Sequence, residues 1–366
     1  MIFDRRKIKD FDKLLFAATI LIFLIGIFAI YSSTQAKGLP FNESYMLRQM
    51  NWFAIGMILF LISITISYQR FVDIAYMLYF INLVLLALVL VLGRTRLGAQ
   101  RWFSIGSFAF QPSEFIKLSL ILALASYAGA KKNAMAGFKS LLIPILLLSV
   151  PFVLVLIQPD LGSALLLVPI FFSMILIGGG RPKYVAAMIM TGLALVPFFW
   201  HLLRDYQRQR LLVFLNPNAD PLGAGYTIIQ SKIAVGSGGL IGKGWLSGTQ
   251  NQLNFLPERH TDFIFSVIGE EWGFFGAAVL IFLYFLLVRR ALDIASSTSD
   301  AYGRLIASGI AVMFGLQIAI NIGMTLGIMP VVGIPLPLVS YGGSSLVASL
   351  VAIGLLINIG MRRSTF

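Results

Sequence analysis

Residues 254–290 read NFLPERHTDFIFSVIGEEWGFFGAAVLIFLYFLLVRR. From Phe263 to Val288 the run is apolar enough, and longer than the roughly 20 residues needed, to cross a bilayer core of about 30 Å. Glu258, Arg259, His260 and Asp262 stand at its entrance, Glu270 and Glu271 lie inside it, and Arg289 and Arg290 close it. An apolar surrounding penalises charge, so each of these acids needs a partner, water or a chemical task.

The rest of the chain repeats that pattern. Of 366 residues, 58% are hydrophobic and 12% charged, far from the charged quarter typical of soluble domains. The reading is an all-α polytopic membrane protein, one domain over residues 1–366. Apolar windows fall near 14–31, 52–67, 74–92, 112–129, 140–157, 162–179, 184–202, 263–288, 303–326 and 338–361. That predicts ten spans. The second window is short and Glu114 and Lys117 interrupt the fourth, so nine spans, or one re-entrant segment, is the competing count. MIFDRRKIKDFDK before the first window resembles a signal n-region, but no small-residue cleavage site follows, which predicts an uncleaved first span. Cysteine is absent, which excludes disulfides, thiolate metal sites and a cysteine nucleophile.

The net charge of +13 would suggest nucleic acid in a soluble protein. Here the basic residues lie in short segments between apolar runs, and topology explains them better, so no nucleic-acid partner is expected. With ten spans both termini share a side. That side collects sixteen Lys and Arg residues: Arg5, Arg6, Lys7, Lys9, Lys13, Arg70, Lys131, Lys132, Lys139, Arg181, Lys183, Arg289, Arg290, Arg304, Arg362 and Arg363. The opposite short loops hold five, Lys37, Arg48, Arg94, Arg96 and Arg101. The long loop of about 203–262 adds six more and carries little weight, because long loops translocate largely regardless of charge. The positive-inside rule puts both termini in the cytoplasm and the long loop outside. Trp52, Trp102, Trp200 and Trp245 then fall near the outer boundary, as an interfacial belt requires.

In that orientation Glu114, Lys117, Asp160 and Asp262 all approach the outer face from helices far apart in sequence, which predicts a polar cavity open to that side. Each residue also has a plainer reading. Glu114 and Lys117, three apart on one helix face, can neutralise each other. Asp160 in QPDLG can cap the next helix. Asp262 can complement the positive end of the helix it precedes. Glu270 lies about 80° around that helix from Asp262 and Glu271 on the opposite face, so both cannot line one cavity; Glu270 is the expected inner wall. GSGGLIGKG, at 236–244, fails the phosphate-loop spacing, and a nucleotide site is rejected. A compact flexible loop is the plainer reading; phosphate recognition by its glycine-turn N–H groups with Lys232, Lys243, Arg208 and Arg210 is the alternative. Two histidines cannot build a histidine zinc site, whereas oxygen ligands for magnesium or manganese stay open. An outer-face enzyme, a flippase or other transporter, and a scaffold all fit these residues. The one-sided clustering of polar groups, without an internal repeat, favours the enzyme.

The segments GAQRWFSIGSFAFQPSEFIKLSL, IQPDLGSALL, LPERHTDFIFSVIGEEWG and GIPLPLVSYGGSSL together resemble the SEDS family (shape, elongation, division and sporulation) almost from end to end. YQRQR and the arginine of LPERHTD are similar to the RodA branch rather than the division-specific branch. The resemblance implies ten spans and a peptidoglycan glycosyltransferase that polymerises lipid II on the outer face of the cytoplasmic membrane during elongation, with lipid II flipping as the alternative. It implies a class B penicillin-binding protein transpeptidase and other elongation-machinery membrane proteins as partners. It also assigns the family's essential aspartate to Asp262, its QPSEFIK pair to Glu114 and Lys117, its QPDLG acid to Asp160, and its RW pair to Arg101 and Trp102. On that assignment Asp262, kept ionised by the helix start, is the general base, and Arg101, Lys117, Arg208 and Arg210 are candidates for balancing a leaving diphosphate.

Overall fold

The computed structural model describes residues 10–35, 44–96, 99–105, 108–130, 135–202, 205–217, 220–221, 223 and 225–362. The basic residues Arg5, Arg6, Lys7, Lys9, Lys37, Lys131, Lys132 and Arg363 of the charge count lie outside them.

Each of the ten apolar windows falls on a helix. These are α1 (Lys13–Gln35), α2 (Tyr45–Thr65), then after the short α3 (Tyr68–Asp73) α4 (Ala75–Leu92), α5 (Pro112–Gly129), α6 (Leu142–Ile157), α7 (Leu161–Ile177) and α8 (Pro182–Leu202). The long loop contributes α9 (Asp205–Leu215), α10 (Tyr226–Ser237) and α11 (Thr249–Gln252); α12 (Ile264–Ser297), α13 (Ala301–Thr325) and α14 (Gly343–Arg362) complete the chain. Seven of the ten are long and apolar enough to cross a membrane, and Leu161–Ile177 and Pro182–Phe198 are shorter apolar helices. The tenth, α5, carries the Glu114–Lys117 pair and is buried along most of its length. The protein is an all-α polytopic membrane protein.

Two features depart from the sequence reading. Three short strands form a small antiparallel sheet in the order β1 (Arg94–Arg96), β2 (Ala99–Ile105), β3 (Phe108–Phe110). The last window, 338–361, begins too early: residues 338–342 form turns, and α14 starts at Gly343.

The core forms where α14 packs along α2, α12 along α13 and α1, and α5 along α4 and α13. Buried apolar side chains such as Ile116, Ile121, Phe171, Phe314 and Ile353 fill it. Lipid tails are as apolar as leucine, so close packing and interhelical polar bonds hold such a bundle. Asn358 shows the second: buried on α14, it donates from Nδ2 to the carbonyls of Ser63, Ile64 and Ile66, groups the end of α2 leaves without helical partners.

The 34-residue α12 is broken at Gly273 (φ 63°, ψ −160°). A break exposes backbone groups that lipid cannot satisfy. The glycine-rich segment satisfies them: Lys243 N and Gly244 N donate to the carbonyls of Glu270 and Glu271 at 3.0 Å, while Phe274 N and Phe275 N donate to those of Gly239 and Leu240. GSGGLIGKG therefore completes a broken helix. The N–H groups of Lys243 and Gly244 are spent within the protein, which fits the plainer reading of this stretch.

Candidate active site

Asp262 sits on a short stretch, 260–262, that three elements hold. Asn321 of α13, fully buried, donates from Nδ2 to the Asp262 carbonyl (3.1 Å) and to the Ile334 carbonyl (2.7 Å). Ser340 Oγ donates to Thr261 O at 2.6 Å, and Tyr341 N to His260 O at 2.9 Å. The Glu258 carbonyl accepts from Thr261 N, Asp262 N and Phe263 N. The aspartate is thus fixed from both sides before the first turn of α12.

GIPLPLVSYGGSSL explains its own glycine here. Gly333 has φ +73°, a conformation natural to glycine, and a Cβ at that position would lie 3.4 Å from Asp262 Oδ2. The glycine of QPDLG serves the same approach from the other side, since a Cβ on Gly162 would meet Val332 O at 2.4 Å. The 330–334 segment can therefore lie between the start of α7 and Asp262.

Asp160 does what its plain reading required and more. Its Oδ1 accepts from Ser163 N at 3.2 Å, capping α7. Its other oxygen accepts from Gln111 Nε2 and Ser113 Oγ, both at 3.2 Å, and Arg101 Nη1 stands 3.5 Å from Oδ1. Arg101 also donates from Nε to Gln158 O, tying β2 to the 158–160 turn. Trp102, the next residue on β2, points by strand alternation to the opposite face. Arg101 lines a narrow pocket with Pro159, Gln207, Arg210, Pro330 and Val332.

Asp262 is partly buried, and among the described residues no hydrogen-bond donor reaches its carboxylate. Burial, reinforced by the charge of Glu258 and then opposed by Arg210 and Arg101, pushes its pKa from the ordinary 3.8 up to about 6. α12 is capped at Phe263 without a side-chain bond, and burial raises Asp262 without taking it out of the ionised form at neutral pH.

The other candidates lie elsewhere. Lys117 Nζ bonds Glu114 Oε2 at 2.8 Å, and both side chains are about 3–4% exposed, so the pair is closed on itself within α5 rather than opening onto a cavity. Arg208 donates to the carbonyls of Trp200 and His201 and caps the end of α8. Two residues apart on a helix is about 200° of rotation, which sends Arg208 and Arg210 different ways. Glu270 does not line Asp262's surroundings. Its Oε1 accepts from Lys243 Nζ (2.8 Å), Gln250 N (3.0 Å) and Thr249 Oγ1 (3.1 Å). Glu271 accepts from Ser32 Oγ and Asn251 Nδ2. The two glutamates share a partner segment rather than a cavity, because residues 243–251 wrap around the arc between them. Sequence reasoning noticed Glu258 and the GIPLPLVSYGGSSL stretch but gave neither a role in the site; the proline- and glycine-rich composition of residues 330–342 was the available signal for the latter.

A family model described as cell cycle protein and named for FtsW, RodA and SpoVE matches residues 12–365. The chain belongs to this family. Among members of the FtsW/RodA/SpoVE family, it is 40% identical to the peptidoglycan glycosyltransferase MrdB of Escherichia coli K12, over 96% of this chain and 95% of that one. It is 36% identical to the peptidoglycan glycosyltransferase RodA of Treponema pallidum, over 98% and 99%. The fold matches a chain from a peptidoglycan synthase complex that coordinates polymerization and crosslinking, with TM-score 0.82 and 37% identity over 97% of this chain and 99% of that one. It also matches the crystal structure of Thermus thermophilus RodA, with TM-score 0.72 and 33% identity over 96% and 97%.

Proposed function

We propose that this chain is a peptidoglycan glycosyltransferase that polymerises lipid II at the outer face of the cytoplasmic membrane. It works as one ten-span domain with both termini in the cytoplasm, and Asp262 is its general base. The observation that carries this reading is Asp262 itself: a partly buried carboxylate with no hydrogen-bond donor on it among the described residues, facing Arg101 and Arg210 at the start of α12.

Asp262 takes the proton of the 4-hydroxyl of an incoming lipid II GlcNAc as that oxygen attacks C1 of the growing strand's MurNAc. The C1–oxygen bond to the diphosphate breaks, and undecaprenyl diphosphate leaves with the electron pair. One attack from the opposite face turns an α-linked donor into a β-1,4 product without a covalent enzyme intermediate. A pKa near 6 suits the task, since the group is ionised at neutral pH yet basic enough to accept. Arg101 and Arg210 balance the charge developing on the diphosphate. Among the described residues no three of His, Asp and Glu gather as a metal-ligand cluster, and no step above runs through a metal.

The likeness to a chain from a peptidoglycan synthase complex supports a class B penicillin-binding protein transpeptidase as partner in elongation. The test is purified protein in proteoliposomes supplied with lipid II, with and without that partner. Glycan strands from the wild type and none from Asp262→Asn are expected. Normal polymer from the variant removes Asp262 as base, and lipid II moving between leaflets without polymer favours a flippase.

A further inference from the structure

Two residues before Asp262, the chain enters a cluster of aromatic rings drawn from three distant places. Tyr45 opens α2, His260 precedes the aspartate, and Tyr341 lies in the turn before α14. The Tyr45 ring stands 4.8 Å from His260 (62° between planes) and 4.9 Å from Tyr341 (81°), and His260 lies 5.8 Å from Tyr341 (41°). All three side chains are partly exposed.

The rings are held by more than their own contacts. Gln49, one helical turn beyond Tyr45 and fully buried, donates from Nε2 to Ser340 O and accepts on Oε1 from Gly342 N, both at 3.2 Å. Tyr341 N bonds His260 O at 2.9 Å. The same turns that fix Asp262 therefore fix the rings, and little ordering entropy is left to lose when a ligand arrives. The cluster stays partly open, which leaves ring surface beside the turns that hold Asp262.

We infer that Tyr45, His260 and Tyr341 form a saccharide platform, on which the acceptor sugar ring lies with its attacking hydroxyl toward Asp262. A pyranose ring offers an apolar C–H face with hydroxyls at its rim, the complement of a ring face with hydrogen-bonding tips. The chemistry around Asp262 divides accordingly. Arg101 and Arg210, from β2 and α9, suit an anionic diphosphate donor, and the uncharged rings of α2 and the 341 turn suit a neutral sugar. The choice of an acceptor sugar rests on the proposed glycosyl transfer.

The test uses the full chain in detergent micelles with a soluble, tail-free GlcNAc–MurNAc disaccharide as probe. Saturation-transfer NMR should show contact through pyranose C–H protons. Tyr341→Ala and, independently, Tyr45→Leu should weaken binding about tenfold, a loss of about 1.4 kcal/mol. Tyr341→Phe, which keeps the ring, should recover most of the loss. With lipid II in proteoliposomes, the same two variants should raise KM about tenfold and change kcat far less, whereas a merely structural latch would lower kcat or the folded fraction. Disaccharide binding that is absent in the wild type, or indifferent to both ring variants, overturns the platform. Ring-dependent disaccharide binding without any polymerisation of lipid II would sink the glycosyl-transfer reading and leave the platform standing.

Discussion

Asp262 and Glu270 lie eight residues apart, one just before α12 and one inside it, and their carboxylates live differently. Glu270, about 1% exposed, has three donors on one oxygen, one of them a lysine. Asp262 has none among the described residues and faces its arginines at longer range. A carboxylate held by three donors and a lysine charge on one oxygen, the other oxygen being buried without a partner, is a weak base and a good anchor. One that is desolvated and unbonded is a costly anchor and a good base. Nearness to the sequence motif does not separate them; the hydrogen-bond count does.

The largest test of that contrast is Asp262→Asn. Turnover should fall by about 10²–10⁴-fold in a lipid II polymerisation assay. Thermal unfolding in detergent at pH 7 should not move down. The fold raises the pKa of this group, so its ionised form destabilises the native state once the pH passes the ordinary 3.8, fully so above about 6, and an amide removes that cost. A variant that unfolds at lower temperature would make Asp262 an anchor after all.

Glu114 and Lys117 sharpen the comparison from the structural end. Breaking a buried ion pair by removing one partner costs about 3–5 kcal/mol, whereas removing both leaves no orphan charge. Glu114→Ala and Lys117→Ala should each destabilise the protein more than the double variant does. Additive losses would mean that each residue works separately, on substrate rather than on the other.

Glu270 should behave as a smaller version of the same case. Glu270→Gln loosens the 243–251 segment, but Lys243 remains partly solvated, so a loss of about 1–2 kcal/mol is expected, partly recovered by adding Lys243→Met. Loss of turnover at unchanged stability would place Glu270 in the chemistry instead.

The spans were legible because hydropathy registers lipid exposure directly: α4, α5 and α7 start within one residue of their windows. Helix ends in water were less so. α12 runs to Ser297, nine residues beyond its window, because ALDIASS is helical without being apolar. The break at Gly273 was hidden, since nothing in EEWGFF announces that a segment 30 residues earlier supplies the missing bonds. Topology predicted Asp262 and Asp160 near one another and the RW resemblance added Arg101, whose guanidinium stands 3.5 Å from Asp160. Arg210 could not be told from Arg208, because rotation on a helix decides between them and depends on where the helix begins. Glu114 and Lys117 showed the limit of the topological argument: the right half of the membrane is not the same as the right cavity.

The finest test lies in the pH dependence of polymerisation. A base with pKa near 6 must be ionised to work, so activity should rise with pH through about 6, level off above it, and fall about tenfold per unit below it. Glu258 is the acidic neighbour that raises Asp262 most, opposed by Arg210 and Arg101, with Asp160 adding a smaller push in the same direction. Glu258→Gln should move the acid limb down, and Arg210→Gln should move it up, each by less than one unit, because the positions of both charged groups are exposed to water. Opposite shifts from the two variants locate the titrating group between them. An acid limb that neither variant moves assigns the titration to another group and removes the distinction between base and anchor on which the comparison with Glu270 depends.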